Sequence, residues 1–320
     1  DNKNMINVLD NLKNSASDIT KGGWLNRMLP AVIKPYFRLA RFDRPIGTWL
    51  VLFPCWWSLA LATSNWAPTP DVLGKTLWLY LLFGIGAIVM RGAGCTFNDI
   101  TDREFDAKVA RTADRPIPSG AVSVPQAVFF MIFLSLIGLT VLLQLNHFAI
   151  LVGVASLFLV AIYPFMKRIT NWPQFALGLT FNWGAFLGWA AVRGDLQLPA
   201  FILYVAGICW TLGYDTIYAH QDKEDDLIVG VKSSALKLRD KTRPWLFVFY
   251  TATVILIAET GYLAGLSWPF YVALVLSALQ LFWQARDVNI DDPGDCLTKF
   301  KSNRLFCWII LTGIVLGQIF

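Results

Sequence analysis

The sequence predicts an all-α protein, a polytopic membrane helical bundle, on three observations. Of its 320 residues 56% are apolar and only 15% are charged, with a mean hydropathy of +0.51, against roughly a quarter charged in a soluble domain. Apolar runs near the length of about 20 residues that crosses a bilayer recur nine times. Connections rich in lysine and arginine alternate with poor ones, the pattern that orients membrane proteins. This composition excludes a disordered chain, and nine such runs in succession exceed what the core of one soluble enzyme takes up.

The elements follow in order. Residues 1–40 form a polar and amphipathic arm. Its first part, Asp1 to Gly23, lacks the apolar core and small-residue cleavage site of a signal peptide, so the hydrophobic segments do their own targeting. Then Leu25, Met28, Leu29, Val32, Ile33, Tyr36 and Phe37 recur at near-helical spacing around Arg27, Lys34 and Arg38, a stretch suited to the membrane surface or to packing on the bundle. Residues 41–320 form the transmembrane domain, with spans at 46–63, 76–97, 125–145, 148–166, 173–192, 199–218, 245–264, 268–285 and 304–320. The arm to Arg44 carries eight basic residues, and the connections 99–123, 167–172, 219–244 and 286–304 carry four, two, six and four. The intervening connections carry only Lys75 and Arg193. The N-terminus is therefore expected in the cytoplasm and the C-terminus at the opposite face. The net charge of +5 reflects topology, being spread over short segments, and predicts no nucleic-acid partner. Cys55, Cys95, Cys209, Cys296 and Cys307 are odd in number, with no CxxC pair or zinc spacing, and read as small hydrophobes.

The informative residues are the acids. Nine of 22 fall in the segments 99–106 and 215–226, each following the cytoplasmic end of an even-numbered span. Asp99, Asp102 and Asp106 share one helix face at i, i+3, i+7, and Asp215, Tyr218, Asp222 and Asp226 repeat the pattern at i, i+3, i+7, i+11. Carboxylates stacked on one face repel, so a positive partner is expected. A hard cation such as Mg²⁺, held by carboxylates together with substrate phosphates, supplies one. Solvated acidic loops are the plainer reading, and the recurrence of the spacing speaks against it. Basic residues follow each cluster: Arg111 and Arg115 after the first, Lys232 and Lys237 after the second. They suit either a diphosphate or the positive-inside rule. Arg91 lies within the second span, where an ionisable group marks function unless it snorkels to the interface. His220 lies off the aspartate face and reads as structural, and the acids of 286–304 read as a turn without metal.

Asn98-Asp99-Ile-Thr-Asp102-Arg-Glu-Phe-Asp106 and Asp222-Lys-Glu-Asp-Asp226 resemble the NDxxDxxxD and DxxxD-type motifs of the UbiA superfamily of intramembrane prenyltransferases. Asp43-Arg44-Pro45-Ile46-Gly47-Thr48-Trp49, Arg111-Thr-Ala-Asp-Arg115-Pro and Tyr163-Pro-Phe-Met-Lys-Arg168 most resemble the branch that prenylates 4-hydroxybenzoate for ubiquinone. The resemblance runs from Arg41 to the C-terminus. It implies nine helices around a central cavity, capping loops that carry the aspartates, and a lateral opening for an isoprenoid tail. It implies Mg²⁺ as cofactor, polyprenyl diphosphate and 4-hydroxybenzoate as substrates, and a bacterial inner membrane or, alternatively, a mitochondrial one. By position, Asp102, Asp106, Asp222 and Asp226 would hold Mg²⁺ and diphosphate, supported by Asn98 and Asp99. Arg168 would contact the diphosphate, and Arg44 the acceptor's carboxylate, although Arg41 is equally near.

The expected chemistry is ionisation of the allylic diphosphate followed by attack of the phenol ring, with Asp215 or another aspartate of the second cluster taking a proton. Aromatic faces would shelter the cation, with Trp56, Trp57, Phe181, Trp183 and Trp189 as candidates. Other acceptors within the superfamily (haem, a naphthoate, homogentisate, chlorophyllide) are opposed by Gly47-Thr48-Trp49. A transporter would place acids at mid-membrane, whereas these stand at one face. A lipid-binding scaffold would not need the repeated aspartates.

Overall fold

The structure is a computed structural model that describes residues 28–63, 70–108 and 112–320. Among these every element is helical: α1 (Lys34–Leu39), α2 (Ile46–Ala62), α3 (Pro70–Asp106), α4 (Val124–Leu142), α5 (His147–Ile162), α6 (Met166–Ile169), α7 (Pro173–Phe181), α8 (Gly184–Arg193), α9 (Leu198–Ala219), α10 (Lys223–Val229), α11 (Ser234–Leu238), α12 (Thr242–Leu263), α13 (Trp268–Asp287) and α14 (Pro293–Ile319). Short 3₁₀ turns lie at Tyr163–Phe165, His220–Asp222 and Arg239–Lys241. Among the described residues eight helical stretches are long and apolar enough to cross a membrane, and α2, at 17 residues, is shorter. Large apolar side chains such as Phe129, Phe158 and Trp268 are exposed, as suits surfaces facing lipid.

The chain divides into two compact units. The first holds the described residues up to Pro45 together with Ile88–Leu139. In it Ala40, Val89, Ala93 and Leu134 form one apolar cluster, and Leu39, Ile117, Val122 and Ala127 another. Gly92 lets α3 approach closely here, since a Cβ would stand 3.0 Å from Leu134 Cδ1 and 3.1 Å from Ala40 Cβ.

The second unit comprises Ile46–Ala87 and Thr140–Phe320. Helices α9 and α12, α2 and α8, and α13 and α14 pack as neighbours. Their core is aromatic: Trp57, Trp210, Tyr214, Tyr250 and Phe306 are fully buried. The polar ends of Trp57, Trp210 and Tyr250 are satisfied across helices, as they must be away from water. Trp57 Nε1 donates to Cys307 O (3.0 Å), Trp210 Nε1 to Asn303 Oδ1 (2.8 Å), and Tyr250 OH to Gln284 Oε1 (2.9 Å). All five cysteines are free thiols.

Several expected boundaries move. The fifth span breaks between α7 and α8, where Asn182 Nδ2 donates to Gly178 O (2.9 Å) and to Thr211 Oγ1 of α9 (2.8 Å), competing with the helical ladder. The last helix starts at Pro293 rather than 304, because Asp292 caps it by accepting from Gly294 N (2.8 Å) and proline suits its first position. Within the amphipathic stretch Lys34–Leu39 form α1, whose first turn carries Pro35; Leu25 and Arg27 lie outside the described residues.

Candidate active site: two carboxylate clusters

The first cluster is carried by the end of α3 itself. Helix runs unbroken through Asp106, so these aspartates stand on a helix rather than on a capping loop. Asp99 and Asp102 are fully buried and Asp106 is 7% exposed. Burial of stacked carboxylates requires counter-charge, and two arginines supply it. Arg41 Nη2 donates to Asp99 Oδ1 at 2.7 Å. Arg115 Nη1 donates to Asp106 Oδ2 at 2.7 Å and lies 3.3 Å from Asp99 Oδ1. Thr112 Oγ1 donates to Asp106 O (2.8 Å), tying the following loop to the helix end. Asn98 is half-buried beside them.

Arg41 and Arg44, equivalent by sequence, differ here. Arg41 takes the left-handed conformation (φ 58°), uncommon for a non-glycine residue. That conformation is braced by Arg91, whose Nη1 donates to Arg41 O at 3.2 Å. Arg91 thus shapes the Arg41 backbone from within its span. Arg44 is half-buried and pairs with the adjacent Asp43 at 3.1 Å.

The second cluster lies in the second unit and is not one continuous face. Asp215 and Tyr218 stand on α9, Asp222 in the 3₁₀ turn, and Asp226 on α10; the single face expected over i to i+11 is interrupted at His220. All four are half-buried. Tyr218 is placed by Phe300 of α14, their ring centroids 4.6 Å apart. His220 is buried with Nε2 2.9 Å from Thr242 Oγ1, the structural role its position suggested. Lys223 Nζ donates to Ile290 O (3.3 Å) and to the Asp291 carboxylate, and this hydrogen bond holds the Asp291 carboxyl below the usual carboxylate range.

Arg168 and Lys232 are brought together locally. Arg168 sits on α6 with its guanidinium 5.6 Å from the centre of the Phe165 ring. Lys232 N donates to Lys167 O (2.9 Å), and its exposed Nζ to Ile169 O (3.1 Å). Arg111 lies outside the described residues. Of the aromatic residues expected to shelter a cation, Trp57 and Trp189 are 1% and 3% exposed and belong to the packed core. Trp183 donates to Val152 O (2.9 Å), and Trp56 to Tyr80 O (3.2 Å). Lys223, Arg41 as an Asp99 partner, and the Asn182 break were missed. The first was hidden among acids, and the others depend on backbone geometry without a local signature.

The donor chemistry fits Mg²⁺. Each cluster offers hard carboxylate oxygens, the ligand type that this ion prefers. Among the described residues no three His, Cys, Asp or Glu side chains gather closely enough to hold a metal alone. Mg²⁺ does not require that, since one or two carboxylates with water and phosphate oxygens suffice.

Known proteins resemble the chain in sequence and in fold. The UbiA prenyltransferase family matches residues 51–310. The mitochondrial 4-hydroxybenzoate polyprenyltransferase of Arabidopsis thaliana is 47% identical over 313 residues, 97% of this chain and 75% of the relative. That of Homo sapiens is 48% identical over 292 residues, covering 91% and 77%. Among solved structures, a UbiA homolog from Aeropyrum pernix superposes with a TM-score of 0.70 at 25% identity, over 85% of this chain and 98% of that one. A UbiA homolog from Archaeoglobus fulgidus bound to GPP and Mg²⁺ shares the fold, with a TM-score of 0.61 at 17% identity over 88% and 99%. The chain belongs to the UbiA prenyltransferase family.

Proposed function

We propose that this protein transfers a polyprenyl group from polyprenyl diphosphate to the ring of 4-hydroxybenzoate, a step of ubiquinone biosynthesis, with Mg²⁺ as cofactor. The observation that carries the reading is the buried Asp99, Asp102 and Asp106 face with its two arginines, in a chain about half identical to proteins named for that reaction. Bound Mg²⁺ draws negative charge onto the diphosphate and so favours loss of that leaving group. Asp102 and Asp106 are the residues of the first cluster that would hold Mg²⁺, with Asn98 and Asp99 orienting them, and Asp222 and Asp226 are those of the second.

The remaining side chains have their own work. Arg168, with Lys232 beside its helix, is suited to bind and orient diphosphate oxygens, and Arg111 and Arg115, which follow the first cluster in sequence, are candidates for the same role. Arg44 receives the acceptor's carboxylate, and Arg91 supports that entry segment through Arg41. Tyr218 helps shape the substrate site from its seat on Phe300. Asp215 takes the proton released when the ring carbon forms its new bond. Residues 41–320 make up the transmembrane prenyltransferase domain and 1–40 the arm before it, with the N-terminus at the basic, cytoplasmic or matrix side. The relatives' mitochondrial names favour the mitochondrial inner membrane over the bacterial one.

The test is transfer of a labelled prenyl group to 4-hydroxybenzoate by purified protein in detergent, with Mg²⁺ or EDTA, for wild type, Asp102→Asn and Asp222→Asn. Mg²⁺-dependent product that EDTA removes is expected, with each substitution lowering the rate on the order of 10²-fold or more. Product unaffected by EDTA and by both substitutions refutes the assignment.

A further inference from the structure

The acidic stretch between α13 and α14 has no part in the reading above, yet it holds Lys223, which lies between Asp222 and Asp226 in the chain. From this contact we propose that Lys223 and Asp291 are positioning residues for Asp222 and Asp226, so that the 289–292 connection sets the geometry of that carboxylate pair. The inference rests on the proposed Mg²⁺–diphosphate role of the cluster.

Four observations support it. First, Lys223 immediately follows Asp222 and opens α10, the helix that carries Asp226. Its Nζ donates both to Ile290 O (3.3 Å) and to the Asp291 carboxylate, so the start of α10 is tied at two points of one loop. Secondly, the loop is itself fixed. Asp291 N donates to Asn289 Oδ1 (3.2 Å), Asn289 N to Asp295 Oδ2 (2.7 Å), and Asp292 caps α14. Thirdly, the far end of this chain of contacts is anchored in the fold. Lys299 is buried at 4% exposure, lies 3.2 Å from Asp295 Oδ1, also meets Asp287, and stands 4.3 Å from the centre of the Trp283 ring. Fourthly, the 3₁₀ turn is also tied to α12, His220 Nε2 lying 2.9 Å from Thr242 Oγ1. The turn bearing Asp222 is thereby linked to α12 and, through Lys223, to the α13–α14 connection.

Exposure separates positioning from bulk stability. The Asp291 side chain is 77% exposed, and exposed ion pairs contribute little to folding. Groups that orient metal ligands, in contrast, change metal affinity by roughly ten- to a hundred-fold when removed. The effect is therefore expected in metal dependence and not in melting temperature.

The experiment compares full-length wild type, Asp291→Asn, Lys223→Met, the double variant and Asp291→Glu in detergent. It reads the Mg²⁺ concentration that half-saturates prenyl transfer, the binding of Mn²⁺ followed by electron paramagnetic resonance, and the melting temperature. Each single substitution should raise the Mg²⁺ midpoint and weaken Mn²⁺ binding roughly ten-fold. The rate at saturating Mg²⁺ should stay within about two-fold and the melting temperature should not move. The double variant should be no worse than either single one, and Asp291→Glu should recover most of the loss. An unchanged midpoint in Asp291→Asn, with or without a lower melting temperature, overturns the proposal. Asp222→Asn is the control: if it too keeps the wild-type midpoint, the assignment of the cluster itself has failed, and the positioning role falls with it by that separate route.

Discussion

The end of α3 carries its aspartates on an unbroken helix, buried and ion-paired with Arg41 and Arg115. The Asp215–Asp226 segment distributes the same residue spacing over α9, a 3₁₀ turn and α10, half-buried, and is held by groups outside the motif. Like spacing in sequence therefore does not mean like support. In the first cluster the carboxylates are part of what holds the fold, and in the second they are displayed by a frame built elsewhere. Substitutions at corresponding positions should reveal this difference.

The largest contrast is expected in stability. Asp99→Ala removes the buried carboxylate shared by Arg41 and Arg115, and breaking a buried pair from one side costs about 3–5 kcal/mol. Asp222→Ala acts on a half-buried side chain and should cost less than about 1 kcal/mol. Denaturation of the detergent-solubilised protein checks both, and equal losses would break the comparison. A second contrast concerns neighbours within the entry segment. Arg44→Ala should raise the KM for 4-hydroxybenzoate roughly ten-fold or more, as loss of a charge-assisted hydrogen bond does, with little change in melting temperature. Arg41→Ala should lower the melting temperature first. A KM unchanged by Arg44→Ala would return the acceptor's carboxylate to Arg41.

The sequence made the bundle and the first cluster legible, and the reason is physical. Hydropathy and a helical period survive in any arrangement of long helices, and Asp99, Asp102 and Asp106 sit where an uninterrupted helix puts them. The second cluster was misread because nothing local announces a 3₁₀ turn at His220. Arg41 and Arg44 look alike in sequence because the left-handed backbone that sets Arg41 on Asp99 has no local signature, and arginine is not a residue that advertises one. Trp57 and Trp189 fell in the core because abundance of aromatic residues does not say which line a site. Lys299 was counted among topological charges, although Asp295 four residues before it is the signature of a helical ion pair, and the structure buries it there. Charges that build the frame look, in sequence, like charges that face water.

The smallest effect concerns how closely each cluster's helix packs. Gly213, two residues before Asp215, lies against Tyr250: an added Cβ would stand 2.2 Å from its Cε1. Tyr250 is fully buried and fixed by Gln284, so α9 must give way instead, and overpacking of this kind costs about 1–3 kcal/mol. Gly92, seven residues before Asp99, would bring its Cβ only to 3.0 Å from Leu134 and 3.1 Å from Ala40. Alanine gains roughly 0.5–1 kcal/mol over glycine in a helix interior, which offsets that milder crowding but not the clash at Tyr250. Gly92→Ala should therefore be nearly neutral in melting temperature and in the Mg²⁺ dependence of transfer. Gly213→Ala should lower the melting temperature and, because it displaces the helix that presents Asp215 and Tyr218, lower kcat as well. If the two alanine variants behave alike, the second cluster tolerates displacement of its helix, and the frame around Asp222 alone sets its geometry.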